Sequence, residues 1–155
     1  MRLGGEIMSV FISGLHYYGF ALAIAAYIMR SQWFKRAGEQ SLELALKRIK
    51  GIHILLHVAL LLSLLTGFYR LFAGTDKAVA FYMKQGIFHG KLGLVFLIIF
   101  IELVCVFKAA SWAKKGYVQN SKMQAKTFKI MHMISSHLYA IIPFIAAAVS
   151  RGMGL

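Results

Sequence analysis

Three kinds of residue are scarce in this chain, whose 155 residues include one proline, one cysteine and five acidic side chains. With a single proline, long segments contain no helix breaker, so long uninterrupted helices are allowed. The lone Cys105 cannot form a disulfide within the chain and says nothing about the redox compartment, so packing is its expected role. Apolar side chains, in contrast, make up 59% of the residues, and the mean hydropathy is +0.68. This composition excludes an ordinary soluble domain.

Four apolar segments are each close to the ~20 residues that cross a bilayer as a helix. They run from Ile7 to Met29, from Gly51 to Ala73, from Ile87 to Phe107 and from Phe128 to Ser150. Helices are expected because lipid offers no hydrogen-bond partner to an unpaired backbone group. The first segment lacks a small-residue cleavage pattern, so we expect it to be retained. The sequence therefore predicts an all-α integral membrane four-helix bundle, formed by one domain over residues 1–155.

Basic residues give the chain a net charge of +13, and they gather in two of the connections between spans. Six of the 18 lie in residues 30–50 and six more in residues 108–129. By the positive-inside rule, these two connections face the cytoplasm and both termini face outside. Anionic lipid headgroups on the cytoplasmic side are then the expected partners of the basic residues. A nucleic-acid partner is not expected, because the charge follows the connections rather than forming a separate basic domain.

Six histidines lie inside the predicted spans or at their ends, and they are the most informative feature of the chain. Charged side chains cost about 2.5 kcal/mol or more in hydrocarbon, so an ionisable residue there is functional by default. Counting at about 1.5 Å of rise per residue places two histidines in the outer half of the membrane and four in the inner half. The outer two are His16 and His89, and the inner four are His53, His57, His132 and His137.

The inner histidines are candidate ligands, because facing helices that each offer an imidazole build cofactor sites in helical bundles. His53 and His57 are four residues apart and share one helix face. His132 and His137 are five apart, about 140° around the helix, so at most one of them joins a site. We expect His57 and His137 to hold a b-type haem as its axial ligands. His53 and His132 lie nearer the interface, where contact with headgroups is an equal alternative.

A second group of polar residues is expected in the outer half. His16 and His89 are the outer candidates for metal or haem ligation, which gives two potential haem layers. Arg70 and Lys91 lie at a similar depth and would bind haem propionates or a substrate carboxylate, since charge-assisted bonds to such groups are strong. Snorkelling of both side chains to lipid phosphates is the alternative.

Glu102 is the only acidic residue well inside a predicted span. A buried carboxylate needs a partner, and we expect an inner histidine or Lys108 to provide it. Proton relay and a structural hydrogen bond are both open as roles for Glu102.

A pattern of glycine, basic and aromatic residues extends from Thr66 to Glu102. It reads Thr66-Gly67-x-x-Arg70-x-Phe72-x-Gly74-x-x-Lys77, then Phe81-Tyr82, then Phe88-x-x-Lys91-x-Gly93-Leu94, with an acid at Glu102. The pattern resembles the bacterial membrane family catalogued as domain of unknown function 2214, and the resemblance covers most of the chain. That family has no established activity. The resemblance and the lack of an organelle-targeting segment imply a multi-pass protein of a bacterial inner membrane.

A more distant resemblance is carried by His16 and by His89-Gly90-Lys91-Leu92. These residues are similar to a first-helix histidine and to a His-x-Lys-Leu motif of the membrane-embedded, oxygen-independent protoporphyrinogen oxidases. The copper-resistance D proteins look like members of the same small helical-bundle grouping. These similarities imply a haem-associated or porphyrin-associated site.

The leading hypothesis is a membrane protein that binds b-type haem through transmembrane histidines and transfers electrons, with a redox partner or a second copy of the chain as its partner. The enzyme alternative is a membrane oxidoreductase that oxidises a porphyrinogen in haem biosynthesis. The third alternative is a non-catalytic subunit that handles copper or stabilises a larger complex. Met131-His132-Met133 is the one place where thioether and imidazole ligands for copper adjoin.

Overall fold

The computed structural model describes residues 2–36, 42–73, 77–114 and 121–153 of the chain. Over these residues the chain is helical, and none of them lies in a strand. The helices are α1 (Arg2–Arg36), α2 (Leu42–Phe72), α3 (Val79–Met83), α4 (Gly86–Lys114) and α5 (Ser121–Ser150). The all-α prediction is confirmed.

Four of these helices are long and apolar enough to cross a membrane. Their candidate spans are Gly5–Trp33, Lys50–Phe72, Gly86–Ser111 and Lys126–Ser150. The predicted four-span architecture is therefore confirmed, while the direction of the chain across the membrane stays a prediction. The end of the first span differs from the prediction, and the difference matters for the site. The predicted first span ends at Met29 and leaves Arg30 in the following connection, but the span continues through Arg30, whose charge is paired inside the protein.

The outer surface of the helices is lined with large apolar side chains. Six of the described phenylalanines are between 56% and 76% exposed: Phe11, Phe72, Phe96, Phe100, Phe107 and Phe144. An exposed aromatic surface of this extent is a liability in water. Facing lipid, whose tails are equally apolar, it carries no such penalty.

The four long helices pack mainly in two pairs, α1 with α2 and α4 with α5, and α1 also contacts α5. Gly19 lets α1 approach α2 closely. A Cβ atom at this position would lie 2.8 Å from Ser63 Oγ and 3.3 Å from the carbonyl oxygen of Ala59. Small residues at such a crossing allow the backbone contacts that hold helices together in a membrane.

The main apolar core follows from this packing and draws side chains from all four long helices. Its fully or nearly fully buried members are Ala23, Ala26, Tyr27, Leu56, Ala59, Ile98, Tyr139 and Ile142. Two of them are tyrosines, so the core carries polar atoms at mid-depth that need partners.

Lys77 joins the connection around α3 to the end of α5. Its Nζ donates a hydrogen bond of 2.9 Å to the carbonyl oxygen of Ser150, at the carboxyl end of the helix. The same ammonium lies 4.0 Å from the centroid of the Phe81 ring. A cation at a helix carboxyl terminus pairs with orphan carbonyls and with the negative end of the helix dipole.

Candidate functional site

A buried ion pair joins α1 to α4. The guanidinium of Arg30 donates to both carboxylate oxygens of Glu102, from Nη1 to Oε2 and from Nη2 to Oε1, each at 2.8 Å. Arg30 is 0% exposed and Glu102 is 1% exposed. Bidentate geometry of this kind is the strongest form of charge-assisted hydrogen bond between side chains.

Two histidines accept the remaining hydrogen bonds of the same guanidinium. Arg30 donates from Nε to Nδ1 of His132 at 2.7 Å and from Nη1 to Nδ1 of His53 at 3.1 Å. Because Arg30 can only donate, each imidazole accepts at Nδ1 and carries its proton on Nε2. In this arrangement, neither ring has a lone pair at Nε2 to offer to a metal.

Tyr27 and Ser135 complete the network around the carboxylate. The Tyr27 hydroxyl donates to Glu102 Oε1 at 3.2 Å and lies 2.8 Å from Ser135 Oγ. The Tyr27 ring also stacks on His132, with centroids 5.5 Å apart. We call this network the arginine cluster. Its members, Tyr27, Arg30, His53, Glu102, His132 and Ser135, come from α1, α2, α4 and α5.

Three members of the cluster, Arg30, Tyr27 and Ser135, were not among the predicted site residues, and Arg30 is the most consequential of them. We expected an inner histidine or Lys108 to pair with Glu102, but the direct partner is Arg30, and the two histidines are reached through it. Arg30 was counted with the basic residues of the first connection because it follows an apolar run. The available signal was Glu102 itself, since one acid deep in a span calls for one buried cation.

The two histidines expected as inner haem ligands do not face a common site. His57 donates from Nδ1 to the carbonyl oxygen of His53 at 2.7 Å, and its Nε2 is buried. His137 is exposed and donates from Nδ1 to the carbonyl oxygen of Met133 at 2.7 Å. With His132 pointing into the arginine cluster, a ring five residues later lies about 140° around α5 and faces away.

A large cavity of about 500 Å³ lies between the four long helices, on the side of the bundle that the charge pattern assigns to the outside. Aliphatic and aromatic side chains form most of its wall. Polar and titratable side chains also line it: His16, Tyr17, Ser63, Arg70, Tyr82, Lys91, Tyr139 and Ser150. The ring of Tyr139 stacks on Phe20 at 4.7 Å and contacts Tyr27 of the arginine cluster at 5.5 Å between centroids.

His16 is held in one tautomer within the wall of this cavity. Its Nδ1 lies 3.0 Å from the carbonyl oxygen of Ser63 and 3.1 Å from Thr66 Oγ1. The Thr66 hydroxyl donates to the carbonyl of Leu62 at 2.6 Å, so toward His16 it accepts. Nδ1 therefore carries the proton, and the lone pair of the ring is on Nε2. Gly67 makes room for the ring, since a Cβ there would lie 3.1 Å from His16 Cε1.

Two cationic side chains, Arg70 from α2 and Lys91 from α4, line the same cavity. The guanidinium carbon of Arg70 lies 5.5 Å from the centroid of the Tyr17 ring. The structure thus brings together three of the residues predicted for the outer site, His16, Arg70 and Lys91. His89, the fourth, is exposed, does not line the cavity and donates from Nε2 to the carbonyl oxygen of Met83 at 3.0 Å.

A small pocket of about 130 Å³ adjoins the large cavity between α2 and α4. His57 and Glu102 are its polar lining residues, and the rest of the lining is aliphatic. Three of its aliphatic residues, Leu60, Leu64 and Ile99, also line the large cavity, so they form the wall between the two.

Metal coordination by several protein side chains has little support in the part of the chain that the structure describes. Within these residues, no group of three or more histidine, cysteine, aspartate or glutamate side chains is placed to hold an ion. Cys105 is a buried free thiol packed with Phe128, a packing position.

A family model described as "Predicted membrane protein (DUF2214)" matches residues 8–154. No curated protein and no solved structure matches the chain.

Proposed function

The chain belongs to the DUF2214 family of predicted membrane proteins, and we propose that its large cavity binds one b-type haem, through which this multi-pass protein transfers electrons. The observation that carries the proposal is His16. Its Nδ1 proton is fixed by the carbonyl of Ser63, so the lone pair of the ring is on Nε2, and Nε2 is the atom that would ligate the haem iron. A backbone partner of this kind orients metal-bound histidines in general.

The cavity fits the proposed occupant in size and in chemistry. A volume of about 500 Å³ is within the range of cofactor sites, and such sites are mostly apolar with few fixed polar groups. Phe20, Phe88 and Tyr139 supply flat apolar surface, and Arg70 and Lys91 supply the cations for two carboxylates. Haem bound there would supply one-electron redox chemistry, while the protein holds it, excludes water and sets its surroundings.

The geometry supports one haem site instead of two. His137 is exposed, and His53 and His132 are engaged by Arg30 through Nδ1. The small pocket beside His57 has about 130 Å³, a quarter of the volume of the large cavity. The small pocket beside His57 is therefore too small to hold a porphyrin ring.

The direct test is a reduced-minus-oxidised visible spectrum of detergent-purified protein, with haem quantified per chain. Wild-type protein and His137→Ala should both retain haem, because His137 faces away from the cavity. His16→Ala should lose most of it. A protein that folds but shows no haem band, or a His16→Ala variant that retains full haem, would overturn the proposal.

The same cavity supports the enzyme alternative, in which a porphyrinogen is oxidised beside His16 and Lys91. The observation that favours it is that both residues line the large cavity, which has the volume to hold a tetrapyrrole. Rescue of a strain deficient in protoporphyrinogen oxidation, lost in Lys91→Met, would support this activity. Failure of the wild-type gene to rescue the strain would exclude the enzyme alternative and leave electron transfer as the proposed function.

We also propose the orientation and location of the protein. Eleven of the 12 basic residues counted in the two connections, all except the buried Arg30, support a topology with both termini outside a bacterial inner membrane, in contact with anionic headgroups. Thiol labelling of single cysteines in a Cys105→Ala background tests it. Cysteines at 38 and 118 should be protected from an impermeant reagent in intact cells, and one at 75 should react.

A further inference from the structure

The wall between the small pocket and the large cavity is thin and aliphatic. Leu60 and Leu64 are one turn apart on α2, and Ile99 faces them from α4. His57 lies on the same face of α2, one turn before Leu60. The two spaces are therefore stacked along α2, and His57 is placed at the far end of the small one.

His57 has the tautomer of a proton acceptor. Its Nδ1 donates to the carbonyl of His53, so its lone pair is on Nε2. That atom is buried and makes no hydrogen bond to the residues that the structure describes. A buried polar atom in this condition calls for an ordered water or a functional explanation.

His53 has the complementary tautomer one turn nearer the end of the bundle. Because its Nδ1 accepts from Arg30, its Nε2 carries a proton, and this atom too is buried without a partner among the described side chains. The two ring centroids are 6.1 Å apart. Ordered water in this part of the bundle would accept a hydrogen bond from Nε2 of His53 and donate one to Nε2 of His57, because the two atoms have complementary roles.

We propose that His53, His57 and water in the small pocket form a proton path that leads from the Lys50 end of α2 through the Leu60, Leu64 and Ile99 wall into the large cavity. A proton that enters from the aqueous phase at the Lys50 end arrives as hydronium at the water on the His53 side, passes to His57 Nε2 and leaves a neutral water behind. His57 becomes an imidazolium, with Nδ1 still bonded to the His53 carbonyl. It then gives that proton to water on the cavity side and returns to its neutral form, so charge and protons balance over one transfer.

The charges around His57 suit this cycle. Glu102 shares the small pocket and faces His57 from α4, so a carboxylate lies near the transient imidazolium. Arg30 from α1 binds that carboxylate on its other side and also holds His53 from α2 and His132 from α5 by their Nδ1 atoms. This engagement leaves His57 as the histidine of the inner half whose buried lone pair can accept a proton.

The aliphatic wall explains how such a path avoids a continuous leak. A narrow constriction lined by leucine and isoleucine excludes water and so interrupts proton transfer. Transfer is then limited to moments when the wall is hydrated, as when an occupant of the large cavity changes charge.

The test uses the full chain in liposomes that contain a pH-sensitive dye, with proton entry driven by a potassium diffusion potential and no porphyrin added. Wild-type protein should conduct slowly. Leu64→Ser hydrates the wall and should raise proton entry several-fold. Adding His57→Phe to Leu64→Ser should return the rate to the wild-type value, whereas Leu64→Ser with His137→Phe should conduct like Leu64→Ser alone.

Two results would overturn the path. One is an unchanged rate in Leu64→Ser protein that elutes as folded wild-type protein does. The other is fast conduction by the Leu64→Ser, His57→Phe double variant. Because the dye reports proton entry and not haem content, failure of this assay is separate from failure of the haem proposal, which the visible spectrum decides.

Discussion

The guanidinium of Arg30 and the carboxylate of Glu102 meet between α1 and α4 through two hydrogen bonds of 2.8 Å, with both side chains sequestered from solvent and lipid. Neither charge is tolerable alone at this depth, since a buried charge is retained only when it is paired and hydrogen-bonded. The pair and its histidine, tyrosine and serine neighbours therefore specify which faces of the four long helices meet.

Removing one partner of this pair should be costly. Glu102→Gln keeps the shape of the side chain but leaves the Arg30 charge uncompensated, and we expect a loss of about 3–5 kcal/mol in stability. Thermal unfolding in detergent, followed by circular dichroism, measures it. Lys129→Met, an exposed cation on α5, is the matched control and should be neutral within about 0.5 kcal/mol.

The double variant Arg30→Met, Glu102→Leu separates charge from packing. Replacing both partners by apolar residues removes the need for compensation, so it should cost less than Glu102→Gln alone. Equal or greater destabilisation by the double variant would show that the ion pair is not what makes the single variant costly.

Tyr27→Phe removes the hydroxyl that joins Glu102 to Ser135 while leaving the stacked ring in place. Ser135 Oγ and Glu102 Oε1 then each lose one buried hydrogen bond. We expect the free energy of unfolding to fall by about 1–3 kcal/mol. Tyr18→Phe is the control, because Tyr18 is 61% exposed on the same helix. If the two variants unfold at the same temperature, the hydroxyl of Tyr27 contributes nothing to stability.

Much of this fold could be predicted from the sequence, because lipid imposes length, helicity and apolarity on each span. The site was predictable only in part. His16, Arg70 and Lys91 could be grouped by depth alone, and the structure places all three around one cavity. Depth does not give the angle around the helix, however. His89 was therefore grouped with these residues because it lies in the same outer half of the membrane, although its side chain is exposed on the surface of the bundle.

The arginine cluster could not be predicted by depth or charge counting. Arg30 follows an apolar run and precedes several basic residues, so the sequence gives it the pattern of a loop residue. Whether such an arginine lies inside or outside depends on a partner from another helix, here Glu102, 72 positions away. For His132 and His137, the 140° angle did indicate that only one would join a site, but not which one.

Gly19→Ala and Gly14→Ala form a matched pair on α1. A Cβ at Gly14 meets nothing within 4 Å, so the alanine should stabilise the helix by up to about 1 kcal/mol. At Gly19 the Cβ would meet Ser63 Oγ at 2.8 Å and a backbone oxygen of α2 at 3.3 Å. The two helices would have to separate, and we expect a net loss of about 1–3 kcal/mol by thermal unfolding. Stabilisation at both positions would mean that α1 and α2 do not cross this closely.

Lys77→Met removes the cation at the carboxyl end of α5. Its hydrogen bond to the Ser150 carbonyl and its favourable position at the helix dipole should together be worth about 0.3–1 kcal/mol. Hydrogen exchange of the last turn of α5 should rise in this variant. Lys84→Met is the control, since Lys84 is exposed near the same connection and should leave that exchange unchanged.

Gly67→Ala tests whether the setting of His16 governs the large cavity. A Cβ at position 67 would lie 3.1 Å from His16 Cε1, so the imidazole must shift by a few tenths of an ångström against its bonds to Ser63 and Thr66. Ligand geometry is sensitive to displacements of this size. Under the haem binding that we propose, the haem retained per chain should therefore fall, with little change in thermal stability. Gly93→Ala on α4, where a Cβ meets nothing within 4 Å, should retain haem fully. Full retention in both variants would mean that the orientation of His16 does not control binding, and loss in both would point to a general effect of alanine on the bundle. Only a loss confined to Gly67→Ala identifies the glycine as the residue that gives His16 its place in the cavity wall.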